Sequence, residues 1–315
     1  MASIEFSDSK STNLLKKILT PQLENLLIEL HKEFNNERQH LLLNRRERQK
    51  IYDTGNLPQY DKSSEAANTE WKIKEIPNDL LKRRVEITGP VNDPKMVINM
   101  LSRNTQGARA DMAMLDFEDS MKPSWKNVVD GIHNVIGAAK GNLSFEKKNA
   151  NGEVEKTYAL NPDDMAGVMV RVRGLHLDES NVKIGGNPIS GGLFDLTCCA
   201  FLAARDFMAR GKTPKFYVPK CEHFMEARWW NQLFSRIEEE IGLENGTLRA
   251  TFLIETLPAA FQIEEILYEL REHAVGLNVG RWDKIFSDIK VLRMHADRIS
   301  PDRATINMQK FWMDN

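Results

Sequence analysis

From Val85 onward the chain repeats one unit, a short apolar run followed by apolar residues at helical spacing, and that rhythm restricts the fold more than any other feature. Val85-Glu-Ile-Thr-Gly-Pro90 reads as a strand halted by Gly-Pro, and Val97, Met100 and Leu101 mark the helix after it. Ala113-Met-Leu-Asp-Phe-Glu-Asp-Ser120 reads as a strand ending in acids, with Val129, Ile132, Ile136 and Ala139 lining the next helix. Further strands are predicted at 168–174, 215–220, 249–255 and 276–280. The helices between them lie near 194–210, on the face Ala227, Trp230, Phe234, Ile237 and Ile241, and on the stripe Ile263, Ile266, Leu267 and Leu270. A helix over 284–294 and a last strand over 303–308 complete the pattern. A period that switches between 2 and 3.6 in this way signals strands and amphipathic helices. Parallel strands need a crossover, so the alternation predicts an α/β fold, a parallel sheet with helices outside it. Ligands of such folds sit at the carboxyl ends of the strands.

The preceding stretch is different. Leu23, Leu26, Leu27, Leu30 and Phe34 occupy one face of a helix entered through Thr20-Pro21. Its continuation carries Arg38, Arg45, Arg46, Arg48 and Lys50, expected as a solvated face because acids are interspersed and aromatics absent. Residues 53–77 turn polar and read as a connection over a surface, which puts a domain boundary near residue 82: a helical segment over 1–82, then the α/β unit over 83–315. Asn151-Gly152, the favoured hairpin dipeptide, predicts two short strands over 141–160 as an excursion from the main sheet.

Composition excludes several classes. With 43 Lys+Arg against 45 Asp+Glu and a net charge of −2, no global field draws the chain to nucleic acid or an anionic membrane. Cys198, Cys199 and Cys221 show no C-x-x-C spacing and are expected to be reduced, buried thiols of a cytoplasmic protein. The start, Met1-Ala-Ser-Ile-Glu-Phe-Ser-Asp8, has neither a basic n-region nor an apolar h-region. No uncharged stretch reaches the roughly 18 apolar residues of a membrane span, so no membrane association is expected.

Charged residues gather where the predicted strands end: Asp116, Glu118 and Asp119, then Arg171 and Arg173, then Glu255, then Asp283. Magnesium takes octahedral oxygen ligands and only one or two protein carboxylates, so the pair Glu255 and Asp283 suits it. Asp283 is also read as the N-cap of the helix beginning at Lys284. Arg171 and Arg173 share a side by strand periodicity, and spacing does not choose between them. His176, His223 and His273 lack an i,i+4 partner or a Cys neighbour and read as structural or surface residues. Gly185-Gly186 and Gly191-Gly192 lack the strand-to-helix G-x-G-x-x-G setting and read as loop flexibility.

These stretches resemble malate synthase of the shorter A type, the glyoxylate-cycle enzyme. The likeness runs through Arg83-Arg-Val-Glu-Ile-Thr-Gly-Pro90, Lys95-Met-Val-Ile-Asn99, Asp116-Phe-Glu-Asp-Ser120, Val170-Arg-Val-Arg-Gly-Leu-His-Leu177, Ala250-Thr-Phe-Leu-Ile-Glu-Thr-Leu-Pro258 and Gly276-Leu-Asn-Val-Gly-Arg-Trp-Asp283. It implies a (β/α)8 TIM barrel, incomplete at its C-terminal end, behind an N-terminal helical clasp. It implies Mg²⁺ held by Glu255 and Asp283, chelating glyoxylate through its carbonyl and carboxylate oxygens and polarising the aldehyde carbon. It makes Arg171 the catalytic and substrate-binding arginine, which stabilises the enolate of acetyl-CoA, and Asp116, Glu118 and Asp119 its supporting acidic cluster. Backbone N–H groups of Trp282 and Asp283 would take the glyoxylate carboxylate. The family chain continues past the point matching Asn315 with a helical domain that supplies an aspartate base. This chain is therefore expected to lack that base, as a truncated product or with the missing part on another chain. Two other readings use the same residues: a related metal-dependent carbon–carbon lyase or aldolase, and a non-catalytic barrel fragment that binds Mg²⁺ and a 2-oxo acid.

Overall fold

The computed structural model describes residues 3–7, 15, 18–305 and 307. Its centre is one sheet of six parallel strands: β2 (Glu86–Pro90), β3 (Met112–Asp116), β6 (Gly167–Arg171), β9 (Lys215–Val218), β10 (Arg249–Ile254) and β11 (Ala274–Val279). They lie side by side in chain order, with β2 and β11 at the edges. Helices α3 (Pro94–Leu101), α4 (Trp125–Lys140), α5 (Gly191–Ala209), α6 (Phe224–Glu240) and the short α7 (Leu257–Ala260) and α8 (Ile263–Glu269) make the crossovers, and α9 (Arg281–Leu292) follows β11. The predicted excursion is the hairpin β4 (Ser144–Lys148) and β5 (Val154–Ala159).

Strand alternation divides the residues between two cores. Ala113, Leu115, Val168, Val170, Phe216, Val218, Ala250, Phe252 and Ile254 face the helices and join the large core. Their neighbours Met112, Met114, Met169, Tyr217, Leu253 and Val275 form a second cluster on the opposite, inner face. Because the side-chain period is 2, the residues that follow on that inner face are Asp116, Arg171 and Glu255. An apolar layer thus gives way to charge at the carboxyl ends of three strands.

The long helix α1 (Pro21–Asp53), followed by the short α2 (Glu65–Asn68), is capped at its start by Thr20, whose side chain accepts from the Leu23 N–H. It buries Leu23, Leu26, Leu27, Leu30, Phe34 and Leu41 and packs on α5, α6 and α9. The expectation of a solvated basic face on this helix is corrected at two positions. Arg38 is 1% exposed and donates to the Leu175 and Leu177 carbonyls and to Asp178, and Arg45 makes a two-nitrogen bond to the fully buried Glu226. Both continue the stripe of Phe34 and Leu41 at spacings of three and four, so helical geometry turns them inward despite their charge.

Three other expectations change. Residues 178–190, which carried no strand signal, form β7 (Asp178–Ile184) and β8 (Asn187–Ser190), and β1 (Ile4–Phe6) pairs with β7 to make a small antiparallel sheet. Gly185 and Gly186, at φ of 58° and 81°, form the turn between β7 and β8, the positive-φ position glycine fills without strain. Gly191 and Gly192 open α5, and a Cβ on Gly192 would sit 2.7 Å from the Trp230 ring, so close packing rather than loop flexibility requires the glycine. At the other end, 303–305 is a 3₁₀ turn, not the start of a strand; Ile306 and Met308 lie outside the described residues. Among the described residues no helix is long and apolar enough to cross a membrane, and Cys198, Cys199 and Cys221 are buried free thiols.

Candidate functional site

The strand register sets the first contact. Asp116 and Arg171 are direct partners on the parallel pair β3 and β6, so their side chains leave the same face next to each other. Arg171 Nε and Nη2 meet the two Asp116 oxygens at 2.7 and 2.6 Å, a two-pronged bond that fixes the guanidinium plane. Asp116 also accepts the N–H groups of Glu118 and Ser120 and the Ser120 hydroxyl. Burial opposes ionisation of Asp116, but Arg171 and these donors outweigh it and hold its carboxyl below the usual range. Arg171 also lies 3.7 Å from Glu118 and 3.9 Å from Asp119. Its ordinary pKa rises further, because these carboxylates outweigh burial.

Glu255 ends β10 and is 2% exposed. Its Oε1 accepts the Lys220 N–H at 2.7 Å, and a Cβ on Gly280 would lie 2.7 Å from the Glu255 Cβ. Only a glycine at 280 leaves the carboxylate its room. Burial first, then the neighbouring Asp283, push the Glu255 pKa up against the pull of Lys220 and Arg171. Asp283 is in the first turn of α9, which starts at Arg281 with Gly280 as its cap residue. The expected N-cap role is therefore corrected: Asp283 lies inside the helix, where a carboxylate still suits the positive end of the helix dipole. Trp282 occupies the same turn.

Lys220, which no local pattern marks, joins these parts. It follows β9, and its Nζ lies 2.5 Å from Glu118, 3.1 Å from Asp119 and 3.5 Å from Asp283. The structure thus brings Arg171, Asp116, Glu118, Asp119, Glu255 and Asp283 to one place at the carboxyl ends of the strands. Arg173 is elsewhere. β6 ends at Arg171, so the two-residue period no longer applies, and Arg173 turns into a buried network with Asp195 and Glu179. Two of the three histidines are likewise bound into the fold. His273 is 0% exposed between Asn231 and Glu238, and His223 Nδ1 accepts the Met225 N–H at the start of α6. His176 lines a cleft of about 400 Å³ next to the site, together with Arg45, Lys220, Asp283, Phe286 and Lys290.

The donor set fits a hard divalent cation. Glu118, whose side chain is 3% exposed, keeps Oε2 buried without a hydrogen-bond partner, an acceptor normally satisfied in a native site. Burial pushes its carboxyl up to about 7 despite Lys220 beside it. Glu255 and Asp283 are hard oxygen donors of the kind of which a cation that keeps several waters takes one or two; among the described residues no group of three or more His, Cys, Asp and Glu side chains is disposed to hold a metal ion.

Comparison with known proteins matches most of the chain to one family. The model of the malate synthase TIM-barrel domain matches residues 167–315, and that of the malate synthase N-terminal domain matches residues 10–65. Malate synthase A of Escherichia coli is 45% identical over 296 residues, covering 94% of this chain and 53% of that protein. The glyoxysomal malate synthase of Candida tropicalis is 45% identical, covering 91% and 51%; that of Arabidopsis thaliana is 42% identical, covering 95% and 52%. The chain spans about half the length of these curated relatives. A Haloferax volcanii malate synthase magnesium/glyoxylate complex aligns at a TM-score of 0.45 and 16% identity, over 65% of this chain and 54% of that one. Both family models fall on this one chain, and its relatives agree at more than two positions in five along nearly all of it; the chain belongs to the malate synthase family.

Proposed function

We propose that this chain carries the metal and 2-oxo-acid half of a malate synthase site, which condenses glyoxylate with acetyl-CoA to give malate and CoA. The observation that carries the reading is that Glu255 and Asp283 both contact Lys220, which shares Glu118 with Arg171, at the carboxyl ends of the strands. Glu255 and Asp283 would hold Mg²⁺, which supplies Lewis acidity to the aldehyde carbonyl when bound. The first turn of α9, with Trp282 and Asp283, presents the positive end of a helix to the glyoxylate carboxylate. Arg171 stays charged at any working pH, and Asp116 fixes its plane, so its donors are aimed before charge develops on the thioester enolate oxygen. The basic cleft beside the site suits an anionic substrate. The resemblance assigns methyl proton abstraction to an aspartate of the family's C-terminal domain, and no residue of the site takes that part in this reading. Buried free thiols support a reducing, cytosol-like compartment.

The test is calorimetric titration of Mg²⁺ and glyoxylate into the chain and into Glu255→Gln. The variant should lose the Mg²⁺-dependent uptake of glyoxylate, and an unchanged titration would remove Glu255 as a ligand. Thiol release from acetyl-CoA with glyoxylate should appear only after the chain is extended to the length of its relatives. Robust turnover by the 315 residues alone would refute the assignment of the base to a later domain.

A further inference from the structure

An amine sits among the carboxylates where a divalent cation would be expected. Lys220 Nζ touches Glu118 and Asp119 at the exit of β3 and Asp283 in the first turn of α9, and its backbone N–H is bonded to Glu255 at the exit of β10. One residue therefore contacts both candidate ligands and the two acids, Glu118 and Asp119, that flank the pair of Asp116 and Arg171. Two observations set this apart from a surface ion pair. Among the described residues Lys220 is the single non-glycine residue at positive φ, 56°, a strained conformation that surrounding contacts must impose and that gathers at functional sites. Glu118 also keeps a buried acceptor, Oε2, that the ammonium leaves unused.

We propose that the Lys220 ammonium is a resident counter-cation, which holds Glu118, Asp119 and Asp283 together in the metal-free protein and swings out when Mg²⁺ binds. The proposal rests on the reading of Glu255 and Asp283 as ligands. Without Lys220, Arg171, already bonded to Asp116, would be left to offset four neighbouring carboxylates. With both cations present, like charges in contact with the same Asp283 would repel in a medium that screens poorly. Metal uptake is then an exchange of one positive group for another. Lysine suits the task better than arginine, being a compact charge on a flexible stem with no fixed fork of donors. The side chain has a place to go, because it already lines the cleft that Glu222 also lines.

The experiment is Mg²⁺ titration of the chain by calorimetry without substrate, paired with thermal melts. Lys220→Met keeps the stem and removes the charge. It should bind Mg²⁺ at least tenfold more tightly than the parent, melt lower without metal, and recover that loss in saturating Mg²⁺. An independent measurement needs no variant: acetylation of Lys220 by an amine-specific reagent, followed by peptide mass spectrometry, should run several-fold faster in saturating Mg²⁺. Equal or weaker Mg²⁺ binding by a cooperatively melting Lys220→Met would overturn the proposal. So would a labelling rate that ignores Mg²⁺, which decides alone if the variant does not fold. If the parent takes up no Mg²⁺, the ligand reading fails and this proposal with it. Binding that depends on Glu255 but is indifferent to Lys220 removes the lysine's role only.

Discussion

Asp195→Asn should be among the most damaging single changes to the fold, although the residue touches nothing in the candidate site. Asp195 is 0% exposed and receives Arg173 Nε at 2.9 Å, Arg173 Nη2 at 2.8 Å and the Arg173 backbone N–H at 3.0 Å. The remaining nitrogen, Nη1, reaches Glu179 at 2.7 Å. The guanidinium itself is 2% exposed, and its two carboxylates outweigh burial and keep it charged. An asparagine would leave one buried carboxylate against the cation and turn an amide N–H₂ toward donors. Removing one partner of a buried ion pair costs about 3–5 kcal/mol, and the backbone N–H adds about 1 kcal/mol if it loses its acceptor. The loss should therefore be about 4 kcal/mol, a large share of the roughly 5–15 kcal/mol that holds a domain together.

Urea unfolding followed by circular dichroism at neutral pH measures it, through a shift in midpoint at constant slope. The informative control replaces the whole network, Arg173→Met with Asp195→Leu and Glu179→Gln. Because the penalty comes from stranding a charge and not from losing an attraction, this triple variant should be more stable than Asp195→Asn alone. A loss below about 1 kcal/mol in Asp195→Asn, a value usual for exposed pairs, would refute the argument. So would a triple variant weaker than the single one.

Other consequences can be read from the same contacts. Arg171→Lys loses the two-pronged bond to Asp116, and in a chain extended to its relatives' length turnover should fall about 10²–10³-fold, with little change in thermal melting; an activity within threefold of the parent would count against the enolate role. Gly280→Ala is allowed by the backbone, at φ −90° and ψ 120°, but its methyl would press on Glu255; Mg²⁺ affinity should drop with far-UV circular dichroism unchanged, and parent-like titration would refute the crowding. His223 is held neutral, with its pKa pushed down to about 4 by burial and by Arg48. The unfolded chain takes up this proton near the ordinary value of 6.5 and the folded chain does not, so stability is complete above that pH and is lost as pH falls toward 4. His223→Asn keeps a capping acceptor and should flatten the slope by up to about 1.4 kcal/mol per pH unit; an unchanged slope would show that His223 does not contribute.

What the sequence revealed and what it hid follow from the range of the interactions. The six parallel strands and their helices were legible because each is announced by local periodicity. Asp116, Glu255 and Asp283 were legible because acids at strand ends stand out against apolar runs. Arg171 and Arg173 could not be told apart, since their difference lies in where β6 stops, and Asp195 and Glu179 make that difference from 22 and 6 residues away. Arg38 and Arg45 were misjudged because their partners, Asp178 and Glu226, lie 140 and 181 positions along the chain. The strands β7 and β8 gave no alternating apolar signal; of β7's seven residues only Glu179, Val182 and Ile184 are buried. Lys220 was invisible for a similar reason: Pro-Lys after a strand is ordinary until the fold sets four carboxylates around it.

The inner face of the sheet links these observations. Met112, Met114, Met169 and Leu253 fill its lower layer, and the next residues in register are charged. Burying ions is costly, and a fold tolerates it when each ion has partners in good geometry. Asp116 meets that condition with Arg171 and three groups from Glu118 and Ser120, and Glu255 has the Lys220 N–H. Glu118 meets it only in part, since Oε2 is buried with no hydrogen bond, Arg171 being 3.7 Å away, and its carboxyl is pushed up to about 7. A fold selected for stability alone would place a glutamine or an apolar residue there. The deficit is intelligible if the acceptor is held for a cation or for its bound water. The substitution Glu118→Gln should then stabilise the metal-free chain while weakening Mg²⁺ uptake, two opposite shifts that one thermal melt with and without the ion would show. A variant that is destabilised in both conditions would mean that Glu118 serves only to anchor Lys220.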